Sequence, residues 1–289
     1  MADKIIIKNT TSEANLDNIQ PADVLNGEIL LVRELDKEHL YCKNSNGEIS
    51  KIHRITDAGE FLSAPTSTYQ AIDLGLPSGL LWANKNIGAE TEEDAGLYFQ
   101  WGDTQGYTAE QVGVDKQFAE DLSDCKWYTN PSFTKYNNSD GLTTLESTDD
   151  AATQIMGADW RMPTEEEFKE LVDNTDVYII STDGEEIANT YTGSSSGYFT
   201  FPVAETMKGM KFYRKDDHSK YIFVPAGGNA LSGSVRVAGV VGYLRSSSRS
   251  ASNVGVAYSL FFYASSGYGN VSYASRHYGI GVRGVKSQQ

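Results

Sequence analysis

The sequence predicts an α+β protein in two parts, a small N-terminal β module followed by a larger domain of short strands with little helix. Three observations predict it. Short apolar runs punctuated by turn residues occupy positions 1–57, and one amphipathic helix with a clear start signal stands near Thr164. A long Ser/Tyr-rich stretch from Tyr243 to Tyr278 reads as exposed, strand-forming surface.

In the first module, Lys4–Lys8, Gly27–Glu34 and His39–Lys43 are strand candidates, the last two joined through Asp36-Lys37-Glu38. Asn46-Gly47 marks a tight hairpin turn, because both central residues of a type I′ turn need positive φ. So few residues bury little apolar area, and the module gains stability by associating with copies of itself. Residues 58–69, small and polar with one proline, are expected to be a linker, which leaves 70–289 as the second domain.

Within that domain Thr164 and Glu167 form a capping box after Pro163, and Phe168, Leu171 and Val172 fall on one face of the helix it starts. Trp82, Trp101 and Trp160 sit in apolar motifs beside glycine or proline and are expected to fill a core between loops. The acidic segment from Thr104 to Asp150 reads as a long insertion with partial helix around Gln117–Leu122.

The formal charge of -15 is uneven. No acid follows Asp217, and seven basic residues make that segment +7, so residues 1–217 carry -22. Nucleic acid is excluded as an expected partner, because phosphate binding requires clustered Lys and Arg. No apolar run reaches the length of a membrane span, so no membrane insertion is expected, and no secretory leader is recognised at the start. Cys42 and Cys125 are too far apart in sequence to imply a disulfide framework or a zinc site.

The stretch 243–278 holds ten Ser and six Tyr among 36 residues, with Gly and Asn among the rest. Tyr offers a large amphipathic face with few torsions to freeze, and Ser, Gly and Asn add adaptable hydrogen bonds, the chemistry of antibody loops. Lys, Glu, Gln, Met and Trp are missing from it. An Asn codon with randomised adenines can encode most residues present but none of those five. Adenine-directed mutagenesis by a diversity-generating retroelement would leave that signature.

Two resemblances sharpen this. Leu25-Asn26-Gly27-Glu28-Ile29, then Leu40-Tyr41-Cys42-Lys43 and Asn46-Gly47, is similar to a repeat near the N-termini of phage tail fibres, where it forms a trimeric attachment module. Further on, Asp73-Leu74-Gly75-Leu76-Pro77-Ser78-Gly79, Trp82-Ala83-Asn84, Tyr98-Phe99-Gln100-Trp101-Gly102, Trp160-Arg161-Met162-Pro163-Thr164, Phe223-Val224-Pro225-Ala226-Gly227 and Gly281-Val282-Arg283 occur in order. Together they resemble the "major paralogous domain" family of Bacteroidetes-type genomes. That resemblance implies a C-type lectin fold over nearly all of 71–285, as in retroelement-diversified variable proteins and phage tropism determinants. Lys85 stands where the family often has cysteine, and Leu244-Arg245 where Tyr-Trp often precedes the Ser run.

Other chemistry finds little support. Neither HExxH nor paired CxxC occurs, and the calcium-holding triplets of sugar-binding C-type lectins are missing, so no metal or cofactor is expected. Asp103, Asp149 and Asp150 could be invoked for calcium, but a solvated acidic loop is the simpler reading. His277 lies among serines without a Gly-x-Ser-x-Gly elbow or an orienting acid. An enzyme of the formylglycine-generating kind, which depends on reactive cysteines, is disfavoured because the second domain has only Cys125.

The expectation is therefore a non-enzymatic, homotrimeric phage tail receptor-binding protein. Its N-terminal module would join other tail proteins, and its C-terminal face would bind a protein or glycan on a bacterial surface. A bacterial surface or secreted binding protein of the same fold is the alternative. In 257–263 alternation puts Leu260 and Phe262 in the core and Ser259, Phe261 and Tyr263 outside. Extended through the next loop, the outward set adds Tyr268, Asn270, Ser272, Tyr273, Ser275 and His277, with Arg249, Ser250, Ser252 and Asn253 from the preceding loop.

Overall fold

The computed structural model describes residues 69–193 and 196–288 in full, and before them only the strand backbone of 7–10, 29–34, 37–43, 49–52, 54–55 and 61–62. The chain divides into two compact units, Met1–Thr68 and Tyr69–Gln289.

In the first unit β1 (Ile7–Thr10), β2 (Ile29–Glu34), β3 (Lys37–Lys43) and β4 (Ile49–Ile52) form one sheet in chain order, β1–β2 parallel and the rest antiparallel. Glu34 pairs with Lys37, so β3 begins two residues before the expected His39. The Asn46-Gly47 turn lies outside the described residues; on either side of it Lys43 pairs with Ile49. β5 (Arg54–Ile55) pairs with β6 (Phe61–Leu62), so the segment expected as a linker contains a paired strand. Apart from that strand and Tyr69, the expected linker lies outside the described residues.

The second unit is rich in short strands with few helices. Its first strands are β7 (Ala71–Asp73), β8 (Leu81–Ala83), β9 (Tyr98–Phe99), β10 (Tyr128–Thr129) and β11 (Ser132–Phe133). β7 turns into β8 through Leu76-Pro77-Ser78-Gly79, where the Gly79 amide donates to the Leu76 carbonyl at 2.9 Å; proline at the second position and glycine at the fourth suit such a turn. Helices α1 (Ala151–Met156) and α2 (Glu165–Asn174) follow. α2 starts as expected: the Thr164 hydroxyl accepts from the Glu167 amide and the Glu167 carboxylate from the Thr164 amide. Phe168, Leu171 and Val172 are its buried face.

β12 (Thr175–Ile180), β13 (Glu186–Ala188), β14 (Tyr191–Thr192), β15 (Phe199–Thr200), β16 (Gly209–Arg214) and β17 (Asp217–Pro225) come next. β18 (Asn229–Leu231), β19 (Ser234–Arg236), β20 (Val241–Arg249), β21 (Val256–Tyr263), β22 (Tyr268–Ser275), β23 (Ile280–Gly281) and β24 (Val285–Lys286) complete the unit. They assemble a four-stranded sheet, β13-β12-β16-β17, and a five-stranded one, β14-β15-β22-β21-β20. The first and last strands meet in a third sheet, β24-β8-β7. Phe168, Leu171 and Val172 of α2 join Val177, Phe212, Ile222, Leu244, Leu260, Phe262 and Val271 in one core, so both larger sheets contribute their inner faces to it.

A second core gathers Trp101, Tyr136, Met162 and Val282. Trp82, Trp101 and Trp160 are buried, as expected. The insertion is not helical at Gln117–Glu120; Phe118 is buried at φ 49, and 3-10 turns form at Leu122–Asp124 and Ser147–Asp149. Asp149 and Asp150 are not a solvated loop. Asp149 accepts from Lys126, Lys135 and the Tyr136 hydroxyl, and Asp150 caps α1 and accepts from the Met162 amide.

Candidate ligand-binding face

The Ser/Tyr-rich stretch folds into β20, β21 and β22, paired antiparallel. Because directly opposite residues share a face, the register sorts the side chains without ambiguity. Leu244, Leu260, Phe262 and Val271 point to the α2 core. Tyr243, Phe261 and Asn270 share the other face with the cross-strand pair Tyr263 and Tyr268.

On that outer face a row of aromatic rings crosses the sheet. Tyr243 of β20 lies 6.0 Å from Phe261 of β21, and Phe261 lies 5.8 Å from Tyr268 of β22. Tyr268 stacks at 6.3 Å on Tyr198, which enters β15, and Tyr198 is 6.4 Å from Tyr191 of β14. Tyr263 flanks the row, 6.5 Å from Tyr268 and inclined by only 14°. Thus every strand of the sheet places a ring in the row or beside it. Tyr191 is 56% exposed, Tyr198 37%, and the others are half-buried. Burial, then the Tyr263 hydroxyl, pushes the Tyr243 phenol well above its ordinary range, so it stays a neutral hydrogen-bonding group.

The rest of the face is closed. Arg245, opposite Ser259, is fully buried and its two terminal nitrogens donate to the carbonyls of Ala274, Ser275 and Tyr278. Arg249 donates to the carbonyls of Leu142, Asn137 and Ser250 at 2.6–2.7 Å. The Arg276 guanidinium lies 3.8 Å over the Phe133 ring and 4.4 Å over Trp101, and donates to the Tyr136 and Val254 carbonyls. Burial pushes Arg245 down to about 9 and Arg276 down to about 10, the cost of a charge out of water that these carbonyls and ring faces offset in part.

Of the expected contact residues, Phe261, Tyr263, Tyr268, Asn270 and Ser272 come together on one accessible face. Ser259 is on that face but buried, its hydroxyl donating to the Ser272 carbonyl at 3.4 Å. Arg249 and Ser250 are buried framework. Ser252 and Asn253 are exposed in the β20–β21 turn, where the Asn253 side chain accepts from the Gly255 amide. Tyr273 and Ser275 point to the opposite face, because the expected loop after Tyr263 is a short 3-10 turn followed by a strand, and a strand alternates. Tyr273 is exposed there, its hydroxyl 3.0 Å from that of Tyr258. His277 is buried, its Nδ1 2.7 Å from the Ser275 hydroxyl, and burial holds its pKa below the usual histidine value. No carboxylate hydrogen-bonds to that ring among the described residues; Asp124 and Asp121 act on it through their charge.

Tyr191, Tyr198 and Tyr243 belong to the row and were not singled out from sequence. The one signal was compositional: Tyr191–Tyr198 reads Tyr-Thr-Gly-Ser-Ser-Ser-Gly-Tyr, the same alphabet as the later stretch. Among the described residues no group of three His, Cys, Asp or Glu gathers to hold a metal, and no helix is long and apolar enough to cross a membrane. Burial pushes the Cys125 thiol up to about 12, which keeps it protonated and a poor nucleophile. No family model, curated protein or solved structure matches the chain.

Proposed function

We propose that this chain is a receptor-binding protein of a phage tail: the five-stranded sheet of its second unit would grip a bacterial surface receptor, and the first unit would carry attachment and trimerisation. The observation that carries the reading is the aromatic row, half-exposed on the sheet built from the Ser/Tyr-rich stretch. Tyr191 and Tyr198 are exposed and the other rings of the row keep part of their surface open, and Tyr-rich patches of this kind supply binding hot spots. The buried arginines beside the row support the same reading. They tie the strand ends to backbone carbonyls, so the ring positions could change without loss of the scaffold. The C-type lectin fold and retroelement diversification of the surface are part of this proposal; they rest on the ordered motifs and on the residue types missing from 243–278.

The test is binding of fluorescently labelled chain to bacteria of the group whose genomes encode the family. We expect saturable binding, weakened by Tyr263→Ala or Tyr268→Ala by at least roughly 1–2 kcal/mol with the melting temperature nearly unchanged. Light scattering should give three chains. If no such cell is bound, or if both alanine variants bind like the parent, the receptor-binding reading is wrong.

A further inference from the structure

The row of rings also constrains what kind of receptor fits, an inference that rests on the receptor-binding reading above. The row is long and open rather than a pocket: five rings follow one another at 5.8–6.4 Å across the sheet. Neighbouring ring planes are turned by 27–85° from one another, so a ligand that uses all of the row must be extended and must offer weakly polar groups at changing inclinations. No ring in the row carries charge, and the basic residues on the same face, Arg245 and Arg249, are buried with their terminal nitrogens committed to carbonyls. The face therefore offers no cation to a carboxylate, sulfate or phosphate. The whole chain, at -15, repels polyanions further.

The polar groups along the row are phenolic hydroxyls, with the Asn270 amide and Ser272 hydroxyl beside them. Hydroxyls and amides donate and accept hydrogen bonds equally. Sugar hydroxyls do the same, and the C–H face of a pyranose ring is slightly positive where the face of an aromatic ring is negative. A proline-rich peptide would also lie along a row of rings, but its backbone offers mainly acceptors. We infer that the aromatic row binds an uncharged, linear polysaccharide of the bacterial surface, running perpendicular to the strands.

The labelled full-length chain is applied to cells that bind it, before and after mild periodate oxidation, which cleaves sugar diols, and separately after protease digestion. Polysaccharide extracted from the same cells is divided by anion exchange into neutral and acidic fractions, and each is tested as a competitor. Periodate should lower binding at least ten-fold, protease should leave it, and the neutral fraction should compete. Tyr268→Ala should lose binding about ten-fold, whereas Tyr268→Phe, which keeps the ring, should retain most of it. Unchanged tryptophan-fluorescence melts would show that both variants fold. Binding that survives periodate but not protease, competition by the acidic fraction alone, or competition by neither overturns this assignment while leaving a receptor-binding role intact. Failure to bind any untreated cell refutes that role itself.

Discussion

Arg249 separates a framework residue from a binding residue. In Arg249→Ala the guanidinium leaves three carbonyls behind. A buried acceptor left unpaired costs about 1–3 kcal/mol. Leu142 and Asn137 are half-buried in a loop whose next residues are exposed, so their carbonyls can regain water and belong at the low end. Ser250 is 1% exposed, and its carbonyl belongs at the high end. The gross loss is then about 4–5 kcal/mol, and relief of the buried charge offsets part of it, leaving about 2–4 kcal/mol. For a unit of this size that lowers Tm by roughly 5–12 °C. Tryptophan fluorescence reads it cleanly, because Trp82, Trp101, Trp127 and Trp160 all lie in the second unit. Limited proteolysis should begin within 137–144, the loop that Arg249 holds. A variant that melts like the parent but no longer binds cells would place Arg249 on the binding surface and refute the clamp.

Two further outcomes are expected. Trp101→Ala empties a site lined by Tyr136 and Arg276 and frees the Ser246 carbonyl from its indole donor, so it should cost about 3–5 kcal/mol; a melt like the parent's with lost binding would assign Trp101 to the ligand instead. The Asp149 carboxylate is opposed by burial, yet hydrogen bonds from Lys135, Tyr136 and Lys126 outweigh that and hold its pKa below the ordinary value. A depressed folded pKa means stability that is present above the unfolded value, about 4, and is lost as pH falls through the folded one. Asp149→Asn should therefore be less stable at neutral pH and lose less on acidification from pH 5 to pH 3, measured by urea melts; an unchanged slope would show that Asp149 does not drive acid unfolding.

Local signals were legible in the sequence. The Thr164/Glu167 cap and the Phe168, Leu171, Val172 face depend on residues within a few positions of each other, and the structure has both. Alternation in β21 placed Phe262 inside and Phe261 outside for the same reason. What failed depended on distant partners. Tyr198 joins the row only because β15 pairs with β22, some seventy residues away. Arg249 looked like a contact residue because its acceptors come from the insertion at 137–142, which no periodicity connects to β20. Around Gln117 the helical expectation gave way because Phe118 is drawn into a core with Val112 and Ala230, and reaches it through a left-handed backbone.

The third sheet has a consequence for how the second unit can be rebuilt. β7 and β24 flank the same strand, β8, with Ala71 opposite Ala83 and Lys286 opposite Leu81. Two strand spacings across and about two residues along put Ala71 and Lys286 roughly 12 Å apart, a gap that about four to six flexible residues would bridge. The exposed tip of the β12–β13 hairpin, where a side chain on Gly184 would meet nothing within 4 Å, is a natural place for new ends. A circular permutant opened there would begin and end in the four-stranded sheet without altering a residue of the aromatic row.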